Sequence, residues 1–245
     1  MTAWDLWLEG RLADGRVVGP WLLEHGNDPG ITLWDNGLVM DELLDVWSEA
    51  GEGRCVLTFG VREVTDGDRT PAARVPARDP DVVQAPGEVA ERVQRLAAYA
   101  FVHSHRGVLL AQLSDRTHAP GQWGLPGGGV DPGESPQDAV LREVAEESGQ
   151  RVRLVGVLGV VDGHWVGRAP DGRLEDFHAV RLVWQAVCDD PTDPVVHDVG
   201  GTTAAAAWVP IEHVASLPLS DAWRGVLVDL TVPTTDGAGG SAHQT

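Results

Sequence analysis

Two periods run through the apolar positions of this chain. Short runs rich in branched and aromatic residues occupy positions 54 to 64 (RCVLTFGVREV), 97 to 103 (AAYAFVH), 107 to 113 (GVLLAQL), 152 to 161 (VRLVGVLGVV), 177 to 187 (FHAVRLVWQAV) and 204 to 209 (AAAAWV). Runs of this length between turn formers predict strands. The run at 152 to 161 is almost continuously apolar, which predicts burial on both faces. Asp14-Gly15 lies between two apolar-rich runs and predicts a hairpin, and a turn is expected at 104 to 106. Val89, Val93 and Leu96 fit either a short helix or the entry to a strand.

Helical spacing is rarer. Met40, Leu43, Leu44 and Trp47 recur at three and four residues, with Gly51 as a stop, and predict a helix. A second helix, of about four turns, is predicted after Ser135: Ser135 is an N-cap, Pro136 suits the first position, Asp138 follows at capping-box distance, and Gly149 ends it. Residues 211 to 215 and 221 to 230 also look helical, after Pro210 ends the last strand.

These elements divide the chain into four parts. Residues 1 to 65 predict a small α+β module holding five tryptophans, read as core packing rather than as a ligand surface. Residues 66 to 87 form a proline-rich linker whose Arg69, Arg74 and Arg78 read as solvated charges. Residues 88 to 232 are a larger domain with loops at 114 to 122, 162 to 174 and 188 to 203. Residues 233 to 245 lack periodicity and predict a disordered tail. Periodicity by itself gives α/β and no more.

The helix after Ser135 carries the chemistry. Positions three and four apart share a face, so Glu143, Glu146 and Glu147 point the same way, while Val140 and Val144 form the anchoring stripe. Unpaired, three carboxylates on one turn repel each other. Hard divalent cations take such oxygen ligands, and Mg²⁺ is usually held by carboxylates together with substrate phosphates. The glycine run Gly127-Gly128-Gly129 just upstream allows backbone to approach a ligand closely.

Residues 128 to 150 resemble the Nudix box, G-x5-E-x7-R-E-U-x-E-E-x-G-U with U apolar. Gly128, Glu134, Arg142, Glu143, Val144, Glu146, Glu147 and Gly149 match it. Gln150 departs from it, which is expected to weaken packing at the helix exit rather than the chemistry. The lead-in at residues 123 to 127 is also similar, and the surrounding domain resembles the family over roughly residues 95 to 231.

The resemblance implies a Nudix-like α/β/α sandwich with a mixed sheet. It implies hydrolysis of a pyrophosphate in a nucleoside diphosphate linked to another group. By the same resemblance Glu143, Glu146 and Glu147, with the Gly127 carbonyl, would hold Mg²⁺ or Mn²⁺. Glu143 or Glu146 would act as general base, and Arg142 would orient Glu134 and Glu146, a phosphate contact being its alternative role. Gly128, Gly129 and Arg116 are candidates for substrate contact, with His118 beside them. Asp198 is the candidate for an extra downstream carboxylate, with Asp176 behind it. His164 and His178 read as neutral, hydrogen-bonded histidines.

A nucleoside triphosphate or a modified nucleotide is the expected substrate. The NADH-type signature SQPWPFPxS is absent, and Trp165 and Val166 stand where some ADP-ribose enzymes carry a proline. ADP-ribose or another nucleotide sugar, and a non-catalytic nucleotide sensor, are the alternatives.

Charge narrows the partners. The formal charge of −19 argues against a broad basic surface for nucleic acid or an anionic membrane. All 18 basic side chains are arginines, so lysine nucleophiles and Walker-type loops are excluded. Cys55 and Cys188 read as buried free thiols. Neither a signal peptide nor a membrane-spanning run is visible, so a cytoplasmic protein is expected; a homodimer is compatible with the sequence.

Overall fold

The computed structural model describes residues 4–72, 75–169, 171–198 and 200–231. Arg74 and the tail from 233 lie outside the described residues. In chain order, the first part holds β1 (Asp5–Arg11), β2 (Val17–Leu22), α1 (Pro29–Asp35), β3 (Leu38–Glu49) and β4 (Arg54–Glu63). The rest holds β5 (Ala77–Arg78), β6 (Glu91–Ser104), β7 (Gly107–Leu113), β8 (Trp123–Gly124), β9 (Gly127–Gly129), α2 (Pro136–Ser148), β10 (Arg153–Arg168), β11 (Leu174–Val187), β12 (Thr203–Val209) and α3 (Asp221–Thr231). Single 3₁₀ segments lie at Ala50–Glu52 and Ile211–Ser216.

Two sheets result, in the orders β2-β1-β4-β3 and β12-β7-β6-β11-β10-β5. The larger is mixed: β6 runs parallel to β11, and β11 antiparallel to β10. Side chains alternate across it, so Leu96, Ala98, Ala100 and Val102 of β6 face one layer while Phe101 faces the other. The first layer is α2 together with the smaller sheet. Leu6, Leu8, Leu57 and Phe59 share one apolar cluster with Ala139, Val140 and Val144 of α2 and with Val180, Leu182 and Trp184 of β11. The second layer is α3 and the 3₁₀ segment before it, with Val214, Leu219, Trp223 and Leu227 buried. Gln137 of α2 also donates to the Val46 carbonyl, 3.1 Å away.

Several expectations are corrected. Residues 40 to 47 are strand, not helix. Bulges interrupt the β3–β4 register between Met40 and Leu43 and again between Leu43 and Asp45. They leave Leu38, Leu43 and Val46 buried at irregular intervals that imitate a helical period. The helix of this region is α1, capped by Asp28, whose carboxylate accepts from Gly30 N–H at 2.7 Å. Residues 162 to 168 continue β10 instead of forming a loop, with Trp165 opposite Phe177. Nor is β10 buried on both faces: most of its residues are half-buried, and Val155 stays 53% exposed. Among the early tryptophans Trp4 is buried and Trp21 packs on the core, but Trp47 is half exposed. The residues around 89 to 96 resolve as strand, and both cysteines are free and buried. No helix among the described residues is long and apolar enough to cross a membrane.

Gln150 does not weaken the helix exit. It is buried, its amide N–H₂ donates to Ser148 O and Thr192 Oγ1, and its oxygen accepts from Thr192 N–H at 3.0 Å. A fully paired amide ties the end of α2 to the following loop where an apolar side chain would only pack.

Candidate active site

Helix α2 is placed by its caps and by its glycine-rich approach. Ser135 Oγ accepts from Asp138 N–H at 3.1 Å and donates to the Asp138 carboxylate at 2.7 Å, and Gly149 closes the helix in the left-handed region at φ 70°. The segment before it enters the sheet as β9, pairing residues Gly127, Gly128 and Gly129 with β6. Gly127 sits at φ +143°, and a Cβ there would lie 2.3 Å from the Ala98 carbonyl oxygen. A Cβ on Gly128 would lie 2.4 Å from Glu143 Oε1. These glycines let α2 bring its carboxylates against the sheet.

The three carboxylates have different environments. Glu147 is 5% exposed; it accepts from Gly127 N–H at 2.9 Å and from the Thr203 hydroxyl. Burial pushes its carboxyl up to about 7, partly offset by those two hydrogen bonds, while the charges of Glu143 and Asp198 push the same way as burial. Glu143 is also raised, chiefly by burial, against the pull of Arg142. Glu146 is the most open of the three.

Arg142 holds this group together. Its guanidinium donates to both Glu134 oxygens at 2.7 and 3.2 Å, to Glu143 at 3.0 Å, to Glu146 at 3.1 Å and to the Gly129 carbonyl at 3.2 Å. Every N–H direction of the fork is used, which fixes the rotamers of three carboxylates at once. The Glu143 contact was not part of the sequence expectation. Burial pushes Glu134 up, but the Arg142 hydrogen bond outweighs it and holds the carboxyl below its ordinary range.

Glu147, Gly127 and Gly128 line a cavity of about 300 Å³ on the α3 side of the sheet. Trp165 and Phe177 stack in its wall with ring centroids 4.6 Å apart, and Arg181 lies over Trp165. Tyr99 and Trp223 form a second aromatic pair, also at 4.6 Å. Arg95 lines the same cavity and lies across Gly129, where a Cβ would meet its guanidinium at 2.2 Å. Sequence reading missed Arg95, Arg181, Tyr99, Phe177 and Trp223. The available signal was an arginine beside a long apolar run in each of two strands, Arg95 before 96 to 102 and Arg181 between Val180 and Leu182.

Other candidates fall elsewhere. Arg116 and Asp198 line a neighbouring groove that shares Thr203 with the cavity. Asp198 N–H donates to the Glu146 carbonyl at 3.2 Å, which keeps its carboxylate close enough to oppose ionisation of Glu147. His118 is exposed on the 114 to 122 loop. Asp176 contacts His25 and His164 on the opposite side of β11 from Phe177, so it is not gathered with the box carboxylates. His178 is fully buried beside them.

The carboxylates suit a hard divalent ion: oxygen donors crowd together, and burial holds Glu143 and Glu147 above the ordinary carboxylate range. The chain is similar to several known proteins. Nucleoside triphosphatase NudI of Enterobacter sp. (strain 638) is 31% identical over 137 residues, covering 54% of this chain and 92% of that protein. The NudI of Salmonella schwarzengrund (strain CVM19633) is 33% identical over 137 residues, covering 55% and 94%. A crystal structure of a MutT NUDIX hydrolase from Burkholderia pseudomallei aligns at 30% identity and a TM-score of 0.41, covering 55% of this chain and 96% of that one. The NUDIX domain family model matches residues 93–230, more than half of the chain. With the box helix, its arginine clamp and its glycine approach in place, the chain belongs to the Nudix family of divalent-metal-using hydrolases and is a pyrophosphohydrolase of nucleotide substrates.

Proposed function

We propose that the chain hydrolyses a nucleoside triphosphate, or a modified one, with Mg²⁺ (Mn²⁺ being able to replace it) held by Glu143, Glu146, Glu147 and the Gly127 carbonyl. The observation that carries this reading is Glu147: a buried carboxylate, aimed by a backbone N–H and a hydroxyl, in the wall of a cavity that also holds two arginines and two aromatic pairs. When bound there, the ion neutralises phosphate oxygens and acidifies a water.

The chain's own groups do the rest. Arg142 holds Glu143 and Glu146 in place, so no rotamer search is needed when substrate arrives. Glu143, held against Gly128 and oriented by Arg142, is our choice of general base. Arg95 and Arg181 offset a chain charge of −19 that otherwise repels phosphates. Trp165 and Phe177 offer a π face to a base. Gly128 and Gly129, expected to touch substrate, instead give their open side to Glu143 and Arg95, which lie against them and face the phosphates in their place. Asp198 acts from the adjoining groove as an additional carboxylate, and Arg116 lies at the outer edge of the substrate path.

The NudI relatives, named as nucleoside triphosphatases, support the choice of substrate. A panel of ribo- and deoxynucleoside triphosphates and ADP-ribose, assayed with Mg²⁺ or with chelator, tests it. The expected result is metal-dependent release of pyrophosphate and a nucleoside monophosphate. Preferential cleavage of ADP-ribose would replace the substrate. Binding of nucleotide without cleavage would favour a sensor.

A further inference from the structure

Three histidines and an aspartate meet on the face of the large sheet that is turned away from the cavity. His164 lies on β10, Asp176 and His178 on β11, and His25 on the segment between β2 and α1. One donor atom each from His25, His164 and Asp176 lie within 4.8 Å of one another. Asp176 Oδ1 contacts His164 Nε2 and lies 3.2 Å from His25 Nε2. His25 stands edge-on to His164 and His178, with centroids 5.3 and 5.8 Å away, and those two rings are tilted at 58° to each other at 5.8 Å.

Hydrogen bonding accounts for only part of this group: His164 Nε2 bonds to Asp176 Oδ1, and His178 Nδ1 lies 3.0 Å from Gln94 Oε1. His25 Nε2, outside hydrogen-bond geometry despite its proximity to Asp176, is buried without a partner, as are His164 Nδ1 and His178 Nε2. Buried polar atoms left unpaired each carry a desolvation penalty, and three in one place is unusual. The surrounding backbone meanwhile holds the group closed. Gly26 N–H donates to His178 Nδ1 at 3.1 Å, and a Cβ on Gly26 would lie 2.7 Å from the His164 ring.

We propose that His25, His164 and Asp176 form a zinc-type metal site, separate from the box carboxylates, that fastens the smaller sheet to the β10–β11 hairpin. Two imidazoles and a carboxylate are a donor set for Zn²⁺ and its borderline neighbours rather than for Mg²⁺. Tetrahedral ligands about 2.0 to 2.1 Å from zinc sit roughly 3.3 Å from one another. The observed group therefore closes on an ion by side-chain adjustment alone. The fourth position falls to water or to His178. A metal here fixes residues that alternate with Trp165 and Phe177, and so steadies the cavity wall from behind.

Metal analysis of the full chain, produced without a histidine tag, stripped with chelator and reloaded with Zn²⁺, tests the site. The wild type is expected to retain about one zinc per chain after desalting and to gain several degrees in Tm on loading. Glu147→Gln keeps that zinc, whereas the double variant His25→Asn with His164→Asn loses it, its folding being checked by circular dichroism. X-ray absorption on the wild type needs no variant, and it is expected to show imidazole scattering around zinc. A wild type that binds no zinc, zinc lost with Glu147→Gln but kept by the double variant, or an all-oxygen shell overturns the proposal.

Discussion

A single side chain shows how much environment adds to residue type. Glu147 is one of 37 acidic residues, yet burial lifts its carboxyl to about 7. An unfolded glutamate ionises near 4.5. Between those values the unfolded chain has lost a proton that the folded chain retains, so metal-free stability falls as pH rises through that window. The full effect is on the order of 3 kcal/mol. Thermal melts in chelator from pH 4.5 to 7.5 should show this decline, and Mg²⁺, by favouring the ion, should flatten it. Glu147→Gln should abolish it; an equal slope in the variant contradicts the assignment. Arg142→Ala frees three carboxylates at once and should lower kcat by about a hundredfold with KM changed less, as expected for lost positioning. The motif spacing made Glu143, Glu146, Glu147 and Arg142 legible in the sequence. Their differences in burial were not, because burial depends on Thr203 and on a glycine run folded into the sheet.

At the scale of elements, α2 was readable because its caps are local. Ser135, Pro136 and Gly149 act within a turn of the helix ends, and no distant contact is needed to place them. The strand β3 was not readable, since bulges set by its pairing with β4 gave its apolar residues a false period. The extension of β10 through Arg168 was hidden for a similar reason: glycines at 163 and 167 read as loop until β11 pairs with them. The short β9 is the element most exposed to disruption. Gly127→Ala places a Cβ against backbone at a φ that L residues avoid, and should destabilise by about 1 to 3 kcal/mol. It should also depress kcat, because Gly127 N–H aims Glu147; chemical denaturation and steady-state kinetics on one preparation check both.

At the scale of the molecule, the first 65 residues are joined to the rest by a shared core. Leu8 is fully buried in the cluster that also holds Val140 and Val144 of α2. Leu8→Ala should therefore cost about 2 to 5 kcal/mol. It should lower the single unfolding transition of the whole chain rather than melt a separate unit, which calorimetry distinguishes. The sequence showed a boundary in composition near residue 66 and could not show that the apolar faces on either side of it meet. It likewise gave no sign that the cavity wall would be built from arginines and aromatics on three different strands and α3, since that depends on which elements become neighbours.

The central claim is that a buried glutamate of α2 holds the ion that makes nucleotide hydrolysis possible. Its most direct test is the Mg²⁺-dependent turnover of nucleoside triphosphates by wild type and Glu147→Gln, both shown to be folded. The account predicts a fall in kcat of at least about a thousandfold in the variant, with nucleotide binding retained. Turnover at the wild-type rate by a folded Glu147→Gln protein would contradict it.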